Sequence, residues 1–306
     1  MTEAILGAHM DHELTSQPAV WTRAIAQARE EHLLPADGLR VAVIGCGTSW
    51  FMAQSYSAAR ERAGKGLTDP FAASEAFLNS NSVARDYDAI VAITRSGTTT
   101  EVLEQLTALK GKVRTVALLG DVESPAAALA DSVIGLPYAD EESVVQTRFA
   151  TAALVYLLTS LGMDLTGAVE EARQAVAEKV PLELVEAEQF TFLGQGWTVG
   201  LAHEAGLKMR EAVQGWTESY PAMEYRHGPI SIAAPGRVTW LFGQQPEGLD
   251  DDMAKTGALY LNTGRHPLAE LVRVHKVALE RARARGLDPD RPRNLTRSVI
   301  LDVAAP

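Results

Sequence analysis

The stretch VIGCGTSW at residues 43–50 decides the fold, and FLGQGWTV at residues 192–199 repeats its pattern. Each begins with apolar residues, passes through two glycines one residue apart, and ends in residues that can open a helix. A strand, a glycine turn and a helix in that order begin a βα unit of a parallel sheet. The two copies therefore predict a duplicated α/β protein.

Alternating apolar runs and amphipathic stretches surround both copies, which is the pattern of strands and helices around an open parallel sheet. In the first half we predict strands at 41–44, 71–77, 89–93, 115–119 and 133–136 and helices at 50–62, 99–109 and 146–161. In the second half we predict strands at 191–193, 219–225, 238–242 and 259–262 and helices at 199–214 and 267–285. The predicted class is α/β, with two tandem doubly wound domains whose sheets are parallel, the second shortened by one strand.

An acidic segment separates the two halves. Residues 166–189 have helical periodicity broken by Pro181 and are predicted to form a helical connector. We accordingly expect an N-terminal arm at 1–20, a first domain at 21–165 and a second domain with the C-terminal tail at 190–306.

The composition excludes several classes of protein. The 306-residue chain is 46% hydrophobic, enough for two buried cores, and its net charge of -11 argues against binding nucleic acid. No apolar run approaches the ~18 residues of a membrane span, so we expect a cytoplasmic protein without membrane partners. The single cysteine, Cys46, precludes intrachain disulfides, and the scattered histidines predict no metal site.

Two loops of the first half combine glycine with clustered hydroxyls between a strand and a helix. Thr48 and Ser49 follow the first predicted strand, and the segment 94–100, TRSGTTT, follows the third. Both loops lie at the carboxyl edge of the sheet, where open α/β folds bind ligands, and backbone N–H groups at a helix N-terminus attract anions. We predict a phosphate site, although Ser and Thr are also favoured helix caps and either loop alone could serve only that purpose.

The second half carries acid/base groups instead. Lys208 and Glu211 stand three residues apart on a predicted helix, so they project from nearly the same face, and His227 precedes a rigid Gly-Pro turn. Glu211 borders the apolar face, where partial burial would suit a general base. The alternatives are a surface ion pair for the carboxylate and a structural role for the histidine. Because residues 242–247 lack hydroxyls, we expect one composite site rather than two.

Six motifs identify a family resemblance. GCGTSW, TRSGTTTE, EESVVQTR, LKMRE, EYRHGP and PRNLTRS occur in an order and at spacings similar to those of the double sugar isomerase (SIS) domain proteins. The resemblance extends over most of the chain. It is strongest to the isomerase domain of glucosamine-6-phosphate synthase and to stand-alone aminosugar-phosphate deaminases and isomerases.

The resemblance implies a role for each motif. The residues implied to bind the substrate phosphate are Thr48, Ser49, Thr94, Arg95, Ser96, Thr98, Thr99, Val144 and Gln146. Glu211 would move a proton between C1 and C2 of an open-chain sugar with help from Lys208, and His227 would open the ring from the other subunit of a homodimer. Such sites use neither a metal nor a redox cofactor.

Three departures from the family pattern bear on the expected substrate and activity. Arg297 replaces the tail lysine that can form an imine, and arginine stays protonated. Arg95 replaces a common glutamine and would offer another phosphate or carboxylate contact. No glutaminase segment precedes the first half, so we expect no glutaminase activity. The implied function is an aminosugar or ketose 6-phosphate isomerase or deaminase, with a fructosamine-6-phosphate deglycase and a non-catalytic sugar-phosphate sensor as alternatives.

Overall fold

A computed structural model describes residues 5–76 and 86–301. The first sheet is parallel throughout, with strand order β2-β1-β3-β4-β5. Its strands are β1 (Val41–Gly45), β2 (Thr68–Ala72), β3 (Ala89–Thr94), β4 (Arg114–Leu119) and β5 (Ser132–Gly135). Every residue of β1 and β3 is buried, as expected when helices cover both faces of a parallel sheet.

Within the described residues, the second sheet repeats this topology with four strands. Its order is β7-β6-β8-β9, again parallel, which matches the first four positions of the first sheet. Its strands are β6 (Gln189–Gly194), β7 (Thr217–Pro221), β8 (Arg237–Phe242) and β9 (Leu259–Leu261). The predicted α/β class, the parallel pairing and the shortened second sheet are thus confirmed.

Helices cover the faces of both sheets and join them. The helices of the described residues are α1 (Ala8–Glu30), α2 (Thr48–Arg62), α3 (Thr100–Leu109), α4 (Pro125–Leu129), α5 (Arg148–Ser160), α6 (Thr166–Ala177), α7 (Leu182–Glu186), α8 (Thr198–Val213), α9 (Leu249–Thr256) and α10 (Pro267–Ala284). The long predicted helices agree with α2, α3, α5, α8 and α10 to within two residues at either end. No helix in residues 5–76 and 86–301 has both the length and the apolar character needed to cross a membrane.

One apolar core joins the two halves. It contains Trp21 and Phe149 from the first half together with Phe192, Trp240 and Val274 from the second, all fully buried. Helix α1 packs on α5 and α6, and α10 packs on α6 and α8, so these helices form the layer between the two sheets. One smaller cluster lines the outer face of the first sheet, and another lines the outer face of the second.

Two predicted strands lie several residues from their observed positions. The strand expected at 71–77 is β2, which ends at Ala72 and contains Pro70; an edge strand tolerates proline because one of its sides makes no ladder bonds. The last predicted residue, Phe77, lies outside the described residues. The strand expected at 219–225 is β7, which ends at Pro221, because buried Tyr225 instead sits in a short 3-10 helix and contacts the hydroxyl of Thr239.

Helix α1 spans the predicted end of the N-terminal arm. The predicted limit of the arm, residue 20, falls inside α1, whose buried stripe of Met10, Leu14 and Trp21 continues past Pro18. At the start of this helix the Asp290 carboxylate accepts hydrogen bonds from the backbone amides of residues 9 and 10 at 2.8 Å each. Amides of the first turn have no partner within their own helix, so Asp290 caps α1. The cap also connects residues 9 and 10 to residue 290.

Candidate functional site

Helices α2 and α8, which follow the first strand of each sheet in chain order, pack against each other. Gly200 of α8 lies so close to the carbonyl oxygen of Phe51 and the side chain of Ser55 that a Cβ atom would overlap both. This close approach places the loop after β1 beside the helix that carries Lys208.

The first hydroxyl loop turns sharply from β1 into α2. Gly47 has a positive φ of 53°, a conformation that glycine adopts without strain. Thr48 and Ser49 then open the helix, and each is only 4% exposed. Neighbouring Cys46 is half-buried. Burial, and to a lesser extent the negative charge of Glu101, raises the pKa of its thiol to about 11. A nucleophilic role for this cysteine is therefore disfavoured.

The second hydroxyl loop folds on itself between β3 and α3. The Thr94 hydroxyl accepts from the Gly97 amide at 3.2 Å, and the Ser96 hydroxyl accepts from the Thr98 amide at 3.3 Å. Gly97 has a φ of 61°, and a Cβ atom there would overlap Ser124, so only glycine fits this turn. The loop presents the hydroxyls of residues 94–100 at the N-terminus of α3.

Three charged residues share one face of α8. Lys208 is fully buried, and its Nζ lies 2.5 Å from Glu211 Oε2 and 3.4 Å from Glu204 Oε1. Burial alone would lower the pKa of Lys208, but the two carboxylates outweigh it and raise the pKa. The Glu211 side chain is 19% exposed, so its carboxylate borders both the apolar face and the open side of the site.

The sequence reasoning missed Glu204. It is fully buried, and desolvation raises the pKa of its carboxyl to about 7 against the opposing attraction of Lys208. A signal was available, since Glu204 stands four residues before Lys208 and one helical turn away on the same face. The result is a lysine between two carboxyl groups, of which only the Glu211 carboxyl reaches solvent.

His227 lies apart from this cluster within the chain. It is exposed at the end of a 3-10 helix, Glu224–His227, and the next residue, Gly228, has a φ of 138°. Among the described residues, no hydrogen bond or ion pair joins His227 to Lys208 or Glu211. The structure therefore assembles Lys208 and Glu211 but leaves the predicted histidine facing outward.

We expected Arg95 to offer a phosphate or carboxylate contact, and the structure places its side chain among groups of the protein itself. Its guanidinium is buried and donates to the carbonyl oxygens of Ser143 at 2.8 Å and Arg297 at 3.0 Å, with Val144 at 3.5 Å. Burial lowers the pKa of Arg95, while nearby Glu141, 4.0 Å away, opposes that effect. Arg95 thus donates to carbonyl groups of the protein's own backbone.

The segment 143–146 lies between Arg95 and Asp290. Val144 is half-buried and its carbonyl faces Arg95, and its amide donates to the carbonyl of Asp290 at 3.4 Å. The side-chain oxygen of Gln146 is buried without a hydrogen-bond partner among the described residues. An orphaned polar atom of this kind is costly unless a ligand or water satisfies it.

The C-terminal tail lies directly on the second hydroxyl loop. The Ser298 hydroxyl is within 3.0 Å of Thr98 Oγ1, 3.2 Å of Ser96 Oγ and 3.4 Å of Thr99 Oγ1. A cavity of about 320 Å³ opens beside this contact. Its lining residues are Ser96, Thr98, Asp121, Thr296, Arg297, Ser298 and Ile300.

In comparisons with known proteins, residues 33–161 match the family model of the SIS domain. Among curated proteins, the chain is 29% identical over 300 residues to the glutamine–fructose-6-phosphate aminotransferase (isomerizing) of Sulfolobus acidocaldarius and 27% identical over 299 residues to that of Sulfurisphaera tokodaii. Each alignment covers 86% of this chain and 50% of the relative. The chain thus spans about half the length of the curated relatives it matches.

Solved structures share the fold over nearly the whole chain. Glucosamine-6-phosphate deaminase from Thermotoga maritima superimposes with a TM-score of 0.80 at 24% identity, covering 96% of this chain and 100% of that one. The C-terminal domain of glucosamine-fructose-6-phosphate aminotransferase from Francisella tularensis has a TM-score of 0.74 at 19% identity, covering 94% and 99%. The chain therefore shares its fold with these proteins.

Proposed function

We propose that this protein is an enzyme that moves a proton between C1 and C2 of an open-chain aminosugar or ketose 6-phosphate. The observation that carries the proposal is the Lys208–Glu211 pair, in which a buried ammonium lies 2.5 Å from a carboxylate with access to solvent. A carboxylate held in this way can take a proton next to a carbonyl, while the ammonium stabilises the oxygen that becomes negative.

The phosphate of the substrate would occupy the hydroxyl loops. Thr48, Ser49, Thr94, Ser96 and Thr99 supply hydroxyl donors at the starts of α2 and α3, where backbone amides and helix dipoles favour an anion. The names of the relatives support this choice, since the aminotransferases, the deaminase and the Escherichia coli tagatose-6-phosphate isomerase that shares the fold are all named for sugar phosphates.

The second half would complete the site as a second, shortened SIS domain. Its strand order repeats that of the first sheet, and α8 occupies the position that α2 has in the first. We further propose that the chain forms a cytoplasmic homodimer in which the exposed His227 of one copy opens the sugar ring bound by the other. An outward-facing histidine on a turn fixed by Pro229 suits that task.

Arg297 favours an aminosugar as the substrate. Its guanidinium is held by both carboxylate oxygens of Asp140, at 2.6 and 2.8 Å, and cannot form an imine with a ketose. An aminosugar brings its own nitrogen, so it needs no lysine imine. Deamination, or isomerisation of an amino sugar, is therefore the first activity to test.

The deglycase alternative loses support from the same contacts. In that reaction Arg95 or Arg297 could face the carboxylate of the amino acid, but both guanidinium groups are engaged by groups of the protein itself. Release of ammonia from glucosamine 6-phosphate, against release of an amino acid from a fructosamine 6-phosphate, separates the two reactions directly.

The test is turnover of a panel of 6-phosphorylated sugars by the wild type, Glu211→Gln and Lys208→Met. Loss of the general base is expected to lower kcat at least a hundredfold, in line with the usual contribution of acid/base catalysis. Glu183→Gln, on the exposed surface of α7, serves as the matched control and is expected to retain full activity. Unchanged turnover in Glu211→Gln contradicts the mechanism, and tight binding without turnover across the panel indicates a sensor.

A further inference from the structure

The contact between the C-terminal tail and the second hydroxyl loop is made by polar groups on both sides. Besides the Ser298 hydroxyl, the Thr100 amide donates to the carbonyl of Val299 at 3.2 Å, and the Leu301 amide donates to the Thr100 hydroxyl at 2.9 Å. The tail therefore continues along the start of α3 rather than extending into solvent. It covers the loop to which we assign the phosphate.

The Ser298 hydroxyl has its full complement of hydrogen bonds in this position. A hydroxyl can accept two hydrogen bonds and donate one. Ser298 Oγ accepts from Ser96 and Thr98 and shares a proton with Thr99. An anion oxygen in the same place would accept from the same three hydroxyls, so the two cannot occupy it together.

Two arginines hold the tail independently of Ser298. Arg95 donates to the carbonyl of Arg297. The Arg297 side chain forms an ion pair with Asp140 and donates to the carbonyl of Glu141. The Arg95 guanidinium is in turn fixed by the carbonyl of Ser143. A rotation of the Ser298 side chain alone would free the three hydroxyls while these arginine contacts keep the backbone of the tail where it is.

We propose that residues 296–301 form a strap that closes the anion site, that Arg95 and Arg297 latch it, and that the Ser298 hydroxyl holds the place of an anion oxygen until a ligand arrives. The arginines that depart from the family pattern then have a shared structural role. The placeholder role of Ser298 rests on the proposed phosphate site, whereas the latch does not.

The latch is tested by tryptic cleavage of the Arg297–Ser298 bond in the full-length protein, followed by mass spectrometry. Because a protease must pull several residues out of their contacts, a latched bond is cut slowly. Arg95→Gln and Asp140→Ala are each expected to speed this cleavage at least tenfold, and Arg173→Gln, on the surface of α6, is expected to leave it unchanged. Since Asp140 is partly exposed, that variant tests the latch even if loss of buried Arg95 impairs folding. Cleavage at the wild-type rate in Asp140→Ala overturns the latch.

The placeholder is tested by calorimetric titration of inorganic phosphate into the wild type and Ser298→Ala. Removing a competitor that contacts three hydroxyls is expected to tighten phosphate binding at least about fivefold, since even one net hydrogen bond contributes about 1 kcal/mol and 1.4 kcal/mol is tenfold in Kd. Weaker or unchanged binding in Ser298→Ala overturns the placeholder. Absence of phosphate binding in both proteins overturns the proposed phosphate site and the placeholder with it, while the cleavage rates still decide the latch.

Discussion

Replacing Glu204 by Gln is expected to change how stability depends on pH. Glutamine has the shape of the protonated carboxyl but cannot ionise. In the folded protein, burial raises the pKa of Glu204 from its ordinary 4.5 to about 7. The folded protein therefore binds a proton at Glu204 over a pH range in which the unfolded chain has already released it.

The sign and size follow from this shift. A carboxyl whose folded-state pKa is raised has its full stabilising effect below pH 4.5 and loses it as the pH rises to about 7. At about 1.4 kcal/mol per pKa unit, the loss amounts to about 3 kcal/mol, most of it between pH 5 and 8. The wild type should thus lose about 2 to 3 kcal/mol relative to Glu204→Gln as the pH rises over that interval.

The assay is urea unfolding of both proteins at several pH values between 5 and 8. A constant offset from the lost attraction to Lys208 does not affect the test, because Glu211 remains 2.5 Å from that ammonium and keeps it charged. Glu104→Gln, the same change at an exposed position of α3, should follow the wild type at every pH. Curves for wild type and Glu204→Gln that run parallel, or that diverge in the opposite direction, refute the reasoning.

Three other substitutions or reactions test the packing and the electrostatics. Gly200→Ala should destabilise the protein by at least about 2 kcal/mol in urea unfolding, because the new methyl group overlaps the carbonyl of Phe51 and must push α2 from α8; unchanged stability would show that the helices can separate freely. Cys46 should react with a thiol reagent about a hundredfold more slowly than a free thiol near neutral pH, since its pKa is about 11 instead of 9.0; equal rates would mean that the thiol is not desolvated. Glu141→Ala should cost about 2 to 3 kcal/mol, because its carboxylate accepts from the backbone amides of residues 147–149 at the start of α5; a loss below 0.5 kcal/mol in thermal unfolding would contradict this capping role.

The positions of the strands along the chain could be predicted because each buried strand is a short apolar run followed by a glycine turn. The runs before Cys46 and before Gln195 indicated both βα units, and the four strands predicted in the second half correspond to the four that the described residues form there. Strand ends were less predictable where proline and aromatic residues intervene. Tyr225 is apolar enough to extend a strand, but its burial beneath β8 places it in a 3-10 helix.

The candidate site was predictable where its chemistry depends on local spacing. Lys208 and Glu211 are one helical turn apart, and the structure brings their charged atoms into contact. Arg95 and Arg297 could not be placed in this way, since their partners lie some 48 to 202 residues away in the chain. Contacts over such separations are set by tertiary packing rather than by periodicity.

The core that both halves share makes the two sheets dependent on each other. Helix α1 and helix α10, from opposite ends of the chain, pack in the layer between them and are joined through the Asp290 cap. The segment 33–161 that matches the SIS domain would lose both helices if expressed alone and would expose the face that they cover. We therefore expect the two sheets to unfold as one cooperative unit, with a single calorimetric transition instead of two.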